Sequence, residues 1–204
     1  MPLQNRVDPF SRMHAVPDRG LFTGNRGILH DPTSKTLKHQ RWATTGWVIC
    51  TLAPMPGHET RRALMQPGRW TELFFLDEAV GLAAGHRPCH ACRRHAAVAF
   101  RQALGVDRIA ALNALIGDEM KRYLRARSPE PRPPCDPRTL PDGAFFANDG
   151  RAFLKWANAA YEFRFSGYGP PLKLPDHGRR LTPQASCDAL RAGFQAAMHP
   201  SLPT

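Results

Sequence analysis

Two cysteines three positions apart, Cys89 and Cys92, constrain this chain more than any other local feature. A turn of that length points both sulfurs at one metal ion while its amides hydrogen-bond them, so the fold must bring further ligands to one knuckle. The chain has five cysteines (50, 89, 92, 135 and 187) in 204 residues. That is an odd number in a chain long enough to build a core without disulfide staples. Met1 to Phe10 has no apolar run and carries Asp8, so a secretory signal is not expected. No stretch approaches the ~20 apolar residues of a bilayer span. The expectation is a cytoplasmic protein with no membrane segment and with metal or redox chemistry at the knuckle. A redox dithiol normally sits among alternating strands and helices. That pattern is missing here, and metal is the preferred reading.

Charge suggests a partner class. Twenty-eight Lys and Arg stand against 17 Asp and Glu, a net charge of +11, which favours an acidic partner, nucleic acid ahead of a membrane surface. The excess is uneven: residues 1–49 carry +4, 50–92 are neutral, 93–127 carry +5 and 128–204 carry +2. The most basic segment therefore starts at the knuckle.

Local patterns predict the elements. Residues 1–20, with three prolines, read as an extended arm. Gly24-Asn25-Arg26-Gly27 reads as a hairpin turn between 21–23 and 28–30. Residues 41–52 and 70–76 are aromatic and β-branched, hence strands. Asp77 is a good cap for a short helix closed by Gly85. Helices follow over 93–104 and 108–127, the second with a core-facing stripe of Ile109, Leu112, Leu115, Ile116, Met120 and Tyr123. Six prolines between Ser128 and Gly143 indicate a linker or an ordered surface crossing. Asn148-Asp149-Gly150 is a hairpin signal between strands at 144–147 and 151–156. A strand at 161–165 and a Gly/Pro loop come next, then a helix capped by Thr182-Pro183 and ended by Gly193. The expected fold is α+β: a small zinc-stabilised strand/helix domain over 1–127, a linker over 128–143, and a β-rich unit over 144–204 packed on the first.

Leu73 to Arg94, LFFLDEAVGLAAGHRPCHACRR, resembles the second half of the Ada-type metal-binding domain of DNA alkylation-repair proteins. The likeness lies in an aromatic strand, a short helix, and the close Ala84-Gly85-His86-Arg87-Pro88-Cys89 leading to Cys92-Arg93. The family's first half has a T-T-G-aromatic stretch with two cysteines. Here Thr44-Thr45-Gly46-Trp47-Val48-Ile49-Cys50 supplies one, and Pro54 stands where the second would be. The resemblance implies a zinc site and DNA as partner. With Cys50, Cys89 and Cys92 as thiolate ligands, histidine is the natural fourth donor. The candidates are His30, His95, His86 and His90, with His30 preferred. Phosphate contacts are expected from Arg26 at the hairpin tip and from Arg87, Arg93 and Arg94 around the knuckle, because a guanidinium can grip phosphate bidentately.

The leading expectation is a zinc-dependent nucleic-acid-binding protein of DNA repair or processing. The residues also offer four catalytic alternatives. Cys50 is a candidate alkyl acceptor, and a processed Met1-Pro2 terminus would offer an amine for glycosylase/lyase chemistry. His58-Glu59 with Cys89 and Cys92 forms an imperfect deaminase pattern. His30-Asp31 with Glu72 or Asp77 would suit a nuclease. A structural zinc module docking a protein is the remaining alternative.

Overall fold

A computed structural model describes residues 1–53, 63–125 and 132–203. The fold is α+β, with two six-stranded sheets and four helices. The first sheet is assembled from β1 (Arg6–Val7), β2 (Met13–His14), β3 (Phe22–Asn25), β4 (Val48–Thr51), β5 (Leu73–Phe75) and β6 (Arg87–Pro88), in the order β2-β1-β5-β3-β4-β6. Residues 1–20 are thus not a free arm. β1 runs parallel to β5, with Arg6 opposite Phe74, and Val7 is buried.

The hairpin expected around Arg26 does not form. β3 pairs instead with β4 and β5, and Gly24 lies opposite both Ile49 and Leu73. The Arg26 carbonyl accepts from the amides of Ala43 and Thr44. The turn-like composition of 24–27 serves a strand end in a sheet interior. A side chain at Gly24 would place its Cβ 2.1 Å from the Val48 carbonyl oxygen.

Helix α1 (Glu78–Ala83) begins as its sequence dictates: the Asp77 carboxylate accepts from the Val80 amide at 3.0 Å. Gly85, at φ +83°, turns the chain away after it. Every residue of α1 is buried, a pattern that requires cover on all sides. It touches β3 and β5 of the first sheet and the strand Phe145–Asn148 of the second. Gly81 allows the close approach, since a Cβ there would meet Ile49 Cδ1 at 2.7 Å.

Helices α2 (Arg94–Ala103) and α3 (Ile109–Arg125) follow the knuckle. Of the expected α3 stripe, Leu112, Ile116 and Met120 are buried, while Ile109 and Leu115 remain exposed. After Arg132 the proline-rich stretch is an ordered crossing with the short strand β7 (Pro134–Cys135) and a 3-10 turn over Pro137–Thr139.

The second sheet adds β8 (Phe145–Asn148), β9 (Arg151–Trp156), β10 (Ala159–Arg164), β11 (Gly167–Leu172) and β12 (Gly178–Arg180), in the order β11-β10-β9-β8-β12-β7. Asp149 and Gly150 both take positive φ in the β8–β9 hairpin, the turn that Asn148-Asp149-Gly150 announces. β11 and β12 occupy the expected Gly/Pro loop. Helix α4 (Gln184–Arg191) is not capped by Thr182, whose hydroxyl accepts from the Phe145 amide at 2.8 Å. Glu119 of α3 takes that role, accepting from the Gln184 amide.

Two hydrophobic clusters form the core, and each draws on both halves of the chain. One joins Val7, Leu73, Phe75 and Val80 to Phe145, Leu154, Tyr161 and Leu202. The other joins Ile49, Leu82, Phe100 and Ile116 to Phe146, Phe153, Leu190 and Phe194.

Candidate metal centre

The sulfurs of Cys50, Cys89 and Cys92 lie within 4.8 Å of one another, all three half-buried. Sheet register explains the first two. β4 and β6 run parallel with Ile49 beside Pro88, and the Cys89 amide donates to the Ile49 carbonyl at 2.9 Å. One step further along both strands puts Cys50 next to Cys89. Cys92 arrives by the turn, closed by the Arg93 amide donating to the Cys89 carbonyl.

The donor set fits a thiophilic metal ion and supplies three ligands. Tetrahedral zinc with Zn–S near 2.3 Å sets its sulfurs about 3.8 Å apart, compatible with this spacing. The thiols also share charge unevenly. The Cys50 side chain hydrogen-bonds Cys89, and the amides of Cys92 and Ala91 add to it, so the Cys89 pKa falls to about 4 despite partial burial. The Cys50 thiol is pushed up, first as the partner in that bond and then by burial. A cation bound to the three sulfurs would replace the shared proton.

His30 is not in this group. It is fully buried, and its Nδ1 lies 2.7 Å from Thr71 Oγ1. Position 30 bridges Leu37 rather than running beside β4. His86 is also buried, its Nε2 accepting from Arg26 Nε at 3.3 Å, and burial beside Arg26 pushes its pKa well down. His95 is exposed and His90 half-buried. Among the described residues no fourth His, Cys, Asp or Glu joins the sulfurs. Pro54, His58 and Glu59 lie outside the described residues.

Three of the four arginines expected to meet phosphate are turned inward. Arg26 is fully buried, donating to Ser11 Oγ at 2.6 Å and to the Ala84 carbonyl at 3.2 Å, with its guanidinium 4.7 Å from the Trp47 ring centroid. Burial lowers its pKa to about 9. Arg87 bonds Asn113 Oδ1 at 2.8 Å and the Pro88 carbonyl, and is 7% exposed. Arg93 grips Glu78 with both terminal nitrogens and covers the Phe22 ring. Only Arg94 is exposed. These buried roles could not be read from sequence, because the partners lie far along the chain.

Beside the knuckle, α1 begins with two buried carboxylates. Asp77 accepts from Tyr168 Oη at 2.6 Å and from the His199 amide at 3.1 Å, and burial raises its pKa to about 6. Glu78, besides holding Arg93, accepts from the Ala197 amide. The knuckle is therefore tied through Arg93 and Glu78 to the C-terminal segment. The nuclease grouping is not assembled: Asp31 is occupied by its own turn with Ser34, and Glu72 accepts from the Met65 amide. Among the described residues no helix is long and apolar enough to cross a membrane. Comparison of the chain with family models, curated proteins and solved structures returned no match.

Proposed function

We propose that this is a zinc-binding protein that binds nucleic acid, DNA foremost, in repair or processing. The observation that carries the metal half is the convergence of Cys50, Cys89 and Cys92, from two parallel strands and a turn, onto one point. Zinc is the reading the donor set favours, since thiolate ligands on a two-residue spacing are its usual structural site. Bound there, it would pin the ends of β4 and β6 to the start of α2 and so fix the basic helices that follow. The net charge of +11 supports the nucleic-acid half. Five cysteines without a disulfide suit a reducing compartment such as the cytoplasm.

The test is elemental analysis of protein purified without added metal. One zinc per chain is expected, lost in Cys89→Ala, together with DNA binding that weakens steeply as salt is raised. A metal-free protein with full stability, or one whose three thiols are oxidised, would sink the metal half. Absence of any nucleic-acid binding at low salt would sink the other.

A further inference from the structure

With Arg26, Arg87 and Arg93 satisfied inside the fold, the positive charge available to a partner must lie elsewhere. One place concentrates it. The loop 42–46 lies along α3, against a stripe of residues four apart. A Cβ on Gly46 would lie 3.0 Å from Asn113 Nδ2, and one on Gly117 would face the Thr45 carbonyl and Lys121 Nζ. The Arg125 guanidinium sits 5.5 Å from the Trp42 ring centroid. The chain thus runs from Gly46 back to Trp42 as the helix runs from Asn113 to Arg125.

This packing sets Arg125 against Trp42, with Arg41 its neighbour in the chain, whereas Arg122 lines a separate groove with Asp118, Pro133 and Arg180. Arg41 and Arg125 are exposed and Trp42 is half-buried. Among the described residues no carboxylate forms an ion pair with Arg41 or Arg125. The nearby acids are otherwise engaged, Asp118 with Lys121 and Glu119 with Arg180. Two unpaired guanidiniums beside an aromatic ring differ from an ordinary solvated helix end. Guanidiniums and ammoniums track phosphates while an accessible ring edge or face takes a base.

We propose that this face, Arg41, Trp42 and Arg125, binds single-stranded nucleic acid. Its phosphates lie along the two arginines and a base lies against the part of Trp42 left accessible between Arg125 and Trp47. The proposal rests on the nucleic-acid reading above and relocates its contacts from the knuckle to the far side of β4. Because Cys50 lies near the opposite end of that strand, the face and the thiolates can be varied separately.

The experiment is fluorescence anisotropy with a labelled oligothymidylate of about 12 nucleotides and a duplex of equal length, on the full zinc-loaded chain. Arg41→Glu/Arg125→Glu should weaken single-strand binding tenfold or more and lower the salt slope by about 1.4, two contacts at roughly 0.7 each. Trp42→Leu should weaken it severalfold, and Arg94→Ala should leave it unchanged. Circular dichroism confirms that each variant is folded. If wild-type protein binds but the double variant binds equally well, or the loss follows Arg94 instead, this face is wrong and the general reading survives. Preference for duplex with Trp42→Leu neutral overturns the single-strand assignment. No binding by wild-type protein to either probe overturns both.

Discussion

The guanidinium of Arg26 lies in the core with no carboxylate bonded to it among the described residues, held by a serine hydroxyl, a helix-end carbonyl, a neutral imidazole and an indole ring. Removing it would leave His86 Nε2 without its donor, reduce the Ser11 and Ala84 contacts to their bond with each other, and leave a cavity. Arg26→Ala is therefore expected to cost about 3–5 kcal/mol, as when a buried charged network loses one member. Arg26→Lys should recover little, because one ammonium cannot reproduce the fork. Urea denaturation measures both. Asp77 poses a different balance. Burial raises its carboxyl to about 6, with Glu78 adding repulsion, while Tyr168 and the amides of Val80 and His199 partly oppose the shift. Because the folded-state value exceeds the unfolded one, the native state binds more protons between pH 4 and 6. Its contribution makes the protein more stable toward pH 4 and less stable as pH rises through 6. Comparing the pH dependence of unfolding free energy in wild type and Asp77→Asn should show this component vanish, a difference of up to roughly 3 kcal/mol.

Among elements, the knuckle and α1 act as one joint. Arg93 follows Cys92 directly, and its partner Glu78 is the first residue of α1, so a single ion pair fixes the turn against the central helix. The pair is nearly dry, and losing one partner strands the other. Arg93→Ala should cost about 3–5 kcal/mol, equivalent to about 10 °C in melting temperature for a chain this size. Arg94→Ala, one residue on and exposed, should shift it by no more than about 1 °C. Release of a metal held at the three cysteines should also accelerate in Arg93→Ala, measured with a chromogenic chelator. Elements written by adjacent residues were legible in the sequence: Asp77 with Gly85 brackets α1, Asn148-Asp149-Gly150 forms its hairpin, and the Cys89–Cys92 spacing marks the knuckle. Elements decided by distant partners were not. β1 and β2 are two residues each and exist because β5 offers an edge. Pro170 and Pro171 suggest a loop, yet β11 is an edge strand whose pairing with β10 is irregular at this point, where missing N–H groups are tolerated. His30 reads as a metal ligand and Arg26 as a phosphate contact because nothing within a few positions reveals Thr71, Ser11 or Ala84.

For the molecule as a whole, the arrangement of the core decides how it comes apart. A division at the proline-rich stretch would suggest two units that unfold separately, but α1 is buried between the sheets and both hydrophobic clusters contain residues from each half. Phe100 of α2 packs edge-on against Phe194, and Tyr168 of β11 bonds Asp77 at the head of α1. Neither half can keep its apolar surface covered alone. At ~25 cal/mol per Å², exposing a shared core outweighs any gain from releasing the connecting segment. Chelating a metal held at Cys50, Cys89 and Cys92 should therefore destabilise both sheets, although the second contributes no ligand. Native-state hydrogen exchange tests this directly. On metal removal, amides of β3–β5 and of β8–β10 should lose protection together and by the same free energy. Retained protection in β8–β10 with loss confined to the first sheet would mean that the shared core is divisible and that the metal stabilises only the sheet that holds it.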